Sequence, residues 1–298
     1  MTPPTVNERV EPRTLGALMA QARSRLVAAG IEAADREARW LLEHAVGLSS
    51  SSHLVDRSRL LEGHEIAKVD DCVSRRVARE PLQYILGTQE FCGLTFEVNP
   101  SVLIPRPETE LLVQEVIRRL PNGDRPTVVD VGTGSGCLAV TLARAVQARI
   151  FATDFSADAL RTAKANARRH GVDSSITWLE GDLLAPLDGM GCERSVHVIM
   201  ANPPYIRESE WSGLQPEVAR YEPRMALIAG AKGIEVHQRL LVEAAPYLAP
   251  GGLLVMEMGQ GQCAALIEVS KTMCFYERTE ILADDAGIDR IMIIERTR

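Results

Sequence analysis

The six cysteines of this sequence, at positions 72, 92, 137, 192, 263 and 274, include no CxxC or CxxH spacing. A disulfide framework or a zinc site is therefore not expected, and reduced, mostly buried thiols are. The six histidines form no ligand cluster, so no metal is expected. No apolar run is long enough to cross a bilayer, which argues against a membrane partner. The opening MTPPTVNERVEPR has no apolar stretch after its first charges, unlike a secretory signal, and a cytoplasmic location is the expectation. Acidic side chains outnumber basic ones, 40 to 33. The net charge of −7 argues against a protein that lives on a phosphate backbone.

What is present points to a large domain and a smaller one: 298 residues, 46% hydrophobic and 24% charged. Residues 1–80 hold 12 basic and 12 acidic side chains, so the later part carries the whole deficit. Within 13–80 the pattern is helical. Leu15, Leu18, Met19, Ala22 and Leu26 share one face and Gly30 supplies a stop. A second run covers Ala33 to Val46 before Gly47, the segment SSSSH at 49–53 breaks the pattern, and a third helix is expected from Gly63 to Arg79. Nothing there looks catalytic, and a helical bundle, alone or as a docking module for a protein partner, is the reading.

From Pro81 the pattern changes. Tyr84 to Gly87 and Phe91 to Val98 read as short strands around a turn, making 81–105 a β-hairpin linker. Val102-Leu103-Ile104-Pro105-Arg106-Pro107-Glu108-Thr109-Glu110 has two prolines that forbid a regular strand or helix, so a rigid extended loop is expected before a helix near 109–120. The remainder, 106–298, alternates strands (127–131, 149–153, 175–179, 195–200, 252–257) with helices (136–147, 157–170, 232–248, 260–271). That alternation signals a doubly wound parallel sheet. Two last apolar runs, near 275–282 and 289–294, leave no room for a helix between them and predict an antiparallel pair at one sheet edge.

The stretch Val128-Val129-Asp130-Val131-Gly132-Thr133-Gly134-Ser135-Gly136 runs from a buried strand through glycines into a helix. Such a turn lets a ligand approach the backbone, and the helix start offers unpaired N–H donors. The spacing G-x-G-x-G differs from the dinucleotide pattern G-x-G-x-x-G and favours S-adenosylmethionine, which has no phosphate. Asp154 at the second strand end is placed to take the ribose hydroxyls, and Asp182 at the third to accept from the adenine amino group with Leu183 against the ring. At the fourth strand end stands Asn202-Pro203-Pro204-Tyr205-Ile206. A planar amide or amino nitrogen is a poor nucleophile because its lone pair is delocalised. Two acceptors, the Asn202 side-chain oxygen and the Pro203 carbonyl, would orient its N–H groups, with the prolines fixing the backbone and Tyr205 stacking on the plane. Catalysis would then be positioning and preorganised electrostatics.

With these residues in hand, the chain resembles the HemK/PrmC-like glutamine methyltransferases that modify peptide chain release factors. The resemblance runs through Pro81 to Gly87, Phe91, Leu94, Leu103 to Glu110, the glycine loop, Asn202 to Ile206, Glu222-Pro223 and Ala226-Leu227. It implies a seven-stranded class I S-adenosylmethionine-dependent fold, Rossmann-like with an antiparallel last strand, beside a small all-helical N-terminal domain. It further implies that Gly132, Thr133, Gly134, Ser135, Gly136, Asp154, Asp182, Leu183 and Asn202 hold the cofactor. Asn202, Pro203, Pro204, Tyr205, Arg106 and Glu108 would meet the glutamine of a Gly-Gly-Gln loop in a bacterial class-1 release factor, with Asn202, Pro203 and Tyr205 as the catalytic set. Arg106, Glu108 and Glu222 have two readings, as pocket walls or as salt bridges bracing the loop.

The sister branch that acts on a ribosomal protein has Arg-Ser-Pro where this chain has Arg106-Pro107-Glu108. An acidic surface after residue 80 would suit a basic partner. A monomer with no direct nucleic-acid contact is expected. An adenine methyltransferase would need a basic groove and a base-flipping target domain, a nicotinamide oxidoreductase a Tyr/Lys or His catalytic set, and a dead binding module would have no use for an intact Asn202.

Overall fold

A computed structural model of the chain describes residues 14–48, 56–121 and 125–298. The N-terminal segment 1–13 and the Ser-rich break at 49–53 lie outside the described residues. The chain divides into two compact units between Leu86 and Gly87.

Among its described residues the first unit holds four helices: α1 (Leu15–Ala28), α2 (Ala34–Val46), α3 (Gly63–Val77) and α4 (Leu82–Leu86). Thr14 caps α1 by accepting from the Ala17 amide, and Gly47 closes α2 in the left-handed region. A reciprocal capping box between Glu62 and Glu65 starts α3. Leu15, Leu26, Leu41, Leu42 and Val73 bury their side chains in one cluster with Leu82 and Ile85. An ion pair of 2.6 Å between Arg76 and Glu37, both largely buried, ties α3 to α2.

Here one expectation needs correcting. The run at Tyr84 to Leu86, read as a strand, is the short helix α4, because Pro81 sits just before a first turn and Leu82 and Ile85 fall on the bundle side. The hairpin lies later, β1 (Thr88–Phe91) against β2 (Leu94–Glu97), around a turn in which Cys92 and Gly93 both have positive φ. It belongs to the second unit and is no free linker. Phe91 and Phe96 enter the main core, and the buried Asn166 amide brackets Glu97 by accepting from its N–H and donating to its carbonyl.

The second unit continues with α5 (Glu110–Arg119), β3 (Thr127–Val131), α6 (Cys137–Ala145), β4 (Arg149–Asp154), α7 (Ala157–Arg169), β5 (Ile176–Glu180), β6 (Val196–Ala201), β7 (Ile206–Arg207), α8 (Pro216–Tyr221), β8 (Ile228–Gly230), α9 (Glu235–Glu243), β9 (Leu248–Glu257), α10 (Cys263–Lys271), β10 (Tyr276–Ala283) and β11 (Asp289–Arg296). Seven strands form one sheet in the order β10-β11-β9-β6-β3-β4-β5. Five run parallel, while β11 pairs antiparallel with β9 and β10 antiparallel with β11 at the edge. Alternate residues feed opposite faces: Val128, Ile150, Val198 and Val255 pack with α5 and α6, whereas Val129, Phe151, Ile199 and Leu254 pack with α9 and α10. The helix read at 232–248 is shorter, since Leu248 already begins β9 beside Val196. The short strands β7 and β8 make a separate parallel pair beyond the expected elements.

The order of the strands positions the site. From β3 the chain steps outward to β4 and β5, then returns to the other side of β3 with β6. The carboxyl ends of β3 and β6 thus diverge at a switch point, where doubly wound sheets open a crevice.

Candidate active site

Four strand ends supply the crevice. After β3, Gly132, Gly134 and Gly136 take φ of +70°, +56° and +81°. At Gly132 a side chain would project into open space, but at Gly136 a Cβ would lie 3.0 Å from Ala163 Cβ on α7. The loop is pinned by Gly132 and Thr133 N–H groups donating to the Thr153 carbonyl, each at 2.9 Å. Beneath it Asp130 is fully buried and accepts from Thr133 Oγ1 (2.6 Å) and the Ala139 amide (3.2 Å). Burial pushes the Asp130 carboxyl up to about 7, against those two hydrogen bonds.

Asp154, ending β4, accepts the Gly134 and Ser156 amides, one on each carboxylate oxygen, both at 2.8 Å. Burial raises its carboxyl as well. Each oxygen keeps a lone pair for a ligand hydroxyl. After β5, Leu183 adopts a φ of +45° and Asp182 meets Arg239 of α9 in a two-pronged contact of 3.2 and 2.8 Å. Arg239 escaped sequence reasoning, since its partner lies 57 residues away.

After β6, Asn202 Nδ2 donates to Thr109 Oγ1 at 3.1 Å, and Thr109 Oγ1 donates to Glu257 Oε2 at 2.6 Å. Neither Asn202 Oδ1 nor the Pro203 carbonyl accepts a hydrogen bond from a described residue. The turn is locked from behind by Gln262, whose Nε2 donates to the Tyr205 and Gly233 carbonyls while its Oε1 accepts from the Gly259 amide. The loop before α5 is braced by Glu222, which accepts from the Ile104 amide at 3.1 Å and pairs with Arg106 at 2.5 Å. Both readings open for Arg106 hold, since it makes this bracing pair and also lines the cavity, whereas Glu222 makes only the bracing contacts.

These elements enclose a cavity of about 420 Å³, within the range of sites for drug-sized ligands. Its wall includes Gly132 to Ser135, Asp154, Asp182, Leu183, Asn202, Pro203, Pro204 and Arg106. Three expected residues are not part of it. Gly136 is spent on the approach to α7, Glu108 is exposed, and Tyr205 is turned against Gly259, with burial raising its phenol to about 12. Residues to which the sequence assigned no site role join instead: Thr109, Thr153, and the exposed Phe155 and Met225 at the wall.

Residues 17–87 match the PrmC N-terminal domain and residues 107–215 the methyltransferase small domain. The release factor glutamine methyltransferase of Geobacter sulfurreducens is 42% identical to this chain, with 96% of this chain and 98% of that protein covered. That of Moorella thermoacetica is 40% identical over 95% and 99%. The chain belongs to the release factor glutamine methyltransferase family. Among solved structures, the hMettl16 catalytic domain in complex with an RNA hairpin is similar with a TM-score of 0.53 at 16% identity, covering 77% of this chain and 80% of that one. At that identity the likeness is one of fold alone.

The residues present fit the methyl donor of this family. Thr153 Oγ1, on the cavity wall, and Asp130 Oδ1, behind the glycine loop, are buried without a hydrogen-bond partner among the described residues. Such orphaned atoms are costly unless a ligand or a bound water satisfies them. Carboxylates at Asp154 and Asp182 suit ribose hydroxyls and an exocyclic amine, and the open backbone at Gly132 admits an amino-acid tail. No phosphate is needed.

Proposed function

We propose that this protein transfers a methyl group to the side-chain amide nitrogen of the glutamine in the Gly-Gly-Gln loop of a bacterial class-1 release factor. The observation that carries the reading is the pair of unused acceptors, Asn202 Oδ1 and the Pro203 carbonyl, on two residues that line the same cavity as the glycine loop after β3. S-adenosylmethionine supplies the electrophilic carbon, a methyl group on a sulfonium. Gly132 to Ser135, Asp154, Asp182 and Leu183 would hold it.

The glutamine amide is neutral and its lone pair is shared with the carbonyl. By accepting both N–H bonds, Asn202 and Pro203 would aim the nitrogen and stabilise the positive charge that builds on it during attack. Pro203 and Pro204 fix the turn, and Gln262 holds the Tyr205 carbonyl behind it, so the acceptors need little reorganisation. No base is required before attack, because the methylated nitrogen is strongly acidic and sheds its proton to water. The helical unit, with no catalytic constellation among its described residues, would serve as the docking module.

The test is incubation of purified full-length release factor with the protein and methyl-labelled S-adenosylmethionine, followed by peptide mapping. Label is expected on the Gly-Gly-Gln glutamine. Replacing Asn202 by Ala should slow labelling about a hundredfold or more. Label on another residue, or on nucleic acid, would refute the reading.

A further inference from the structure

We infer that Glu257 and Thr109 are positioning residues that fix which end of the Asn202 amide faces the substrate. An asparagine amide is nearly symmetric in shape, and turning it over exchanges an acceptor for two donors. Flipped, Asn202 would present N–H groups to the N–H groups of its substrate, and the grip would become a repulsion. Something must break the symmetry, and the backbone of the turn does not.

The Thr109 hydroxyl does so only if its own proton is committed. It has one proton to give. At 2.6 Å that proton goes to Glu257 Oε2, and the hydroxyl oxygen is left as an acceptor for Asn202 Nδ2 at 3.1 Å. Asn202 Oδ1 is then the end of the amide left free to accept, on a residue that lines the cavity. Glu257 and Thr109 are each only 2% exposed, so bulk water competes little for these bonds. This inference rests on the functional reading above, because the polarity matters only if the substrate brings donors.

An ionised Glu257 can only accept, whereas a protonated one can donate to Thr109 and free the hydroxyl proton to point at Asn202 instead. Burial pushes Glu257 up to about 7, the Thr109 hydrogen bond opposing. Arg290 on β11 and Arg106 before α5 draw it down while Glu108 draws it up, and His237 on α9 is bonded to the Glu257 carbonyl and is kept from charging by its own burial. The active form is the ionised one, so turnover should fall about tenfold from pH 8 to pH 6.

The experiment compares wild type, Thr109→Val, Thr109→Ser and Glu257→Gln in the full chain. Thr109→Val should lose at least about tenfold in kcat with S-adenosylhomocysteine affinity unchanged, and Thr109→Ser should recover most of it. Glu257→Gln should flatten the pH profile between about 6 and 8. Independently of turnover, the Asn202 side-chain amide signal in an asparagine-labelled NMR spectrum should titrate near neutral pH in wild type and stay fixed in Glu257→Gln. Wild-type kcat in Thr109→Val, or an Asn202 signal that titrates identically in both proteins, would overturn the inference. Should Thr109→Val lose its fold, the Glu257→Gln comparison decides alone. A wild-type protein that labels no release factor but shows the NMR titration would refute the functional reading and leave this one standing.

Discussion

Replacing Gly136 by alanine separates two costs that a glycine loop normally hides together. The φ of +81° is unfavourable for any L side chain, at about 1 kcal/mol. In addition the new methyl group would sit 3.0 Å from Ala163 Cβ and 3.2 Å from its Cα. The obstacle is a helix backbone and its shortest side chain, which cannot swing aside as the tip of a lysine can. Either α7 or the loop must move, an overpacking cost of about 1–3 kcal/mol. The sum predicts a destabilisation of about 2–4 kcal/mol.

Gly132→Ala is the control, since its φ of +70° carries the same conformational cost and nothing lies within 4 Å of the added carbon. It should lose only about 1 kcal/mol. Both are measured by urea unfolding, following the transition that S-adenosylhomocysteine shifts to higher denaturant, which identifies the catalytic unit. Equal losses in the two variants would show that the approach to α7 is not tight and refute the packing argument.

Glu222→Ala should destabilise the same transition by about 2 kcal/mol, below the usual cost of breaking a buried pair because Arg106 remains a third exposed; an unchanged midpoint would show that the loop stands without this brace. Stability should also fall as pH rises. The unfolded chain releases the Asp130 proton from 3.8 upward while the folded protein keeps it to about 7, so the unfolded state binds fewer protons across that window and stability declines through it. Asp130→Asn should remove much of that slope, leaving the smaller contribution of Glu257 between 4.5 and about 7. A midpoint for wild type that is flat from pH 5 to pH 8 would contradict the burial argument.

Strand ends and helix faces were legible in the sequence because they repeat locally. Glycines mark the end of β3, and two acidic residues and a proline pair mark the next three strand ends. The last two strands could be placed because the stretch between them is too short for a helix. What escaped was of two kinds. Tyr84 to Leu86 is a run too short for its period to show, and helix or strand was decided by packing in the bundle.

The roles of Thr109, Glu257, Arg239 and Gln262 were invisible for a different reason. Their partners are 93, 148, 57 and 57 residues away, so only the assembled sheet makes them neighbours. Glu108 and Tyr205 show the reverse case, conspicuous in the motifs yet away from the cavity wall.

The most direct measurement is a crystal structure of the protein with S-adenosylhomocysteine and a release factor bound together. The glutamine Nε2 should lie about 2.9 Å from both Asn202 Oδ1 and the Pro203 carbonyl, with its free face toward the sulfur. A glutamine held elsewhere, or an Asn202 side chain presenting its nitrogen to the amide, would contradict the account.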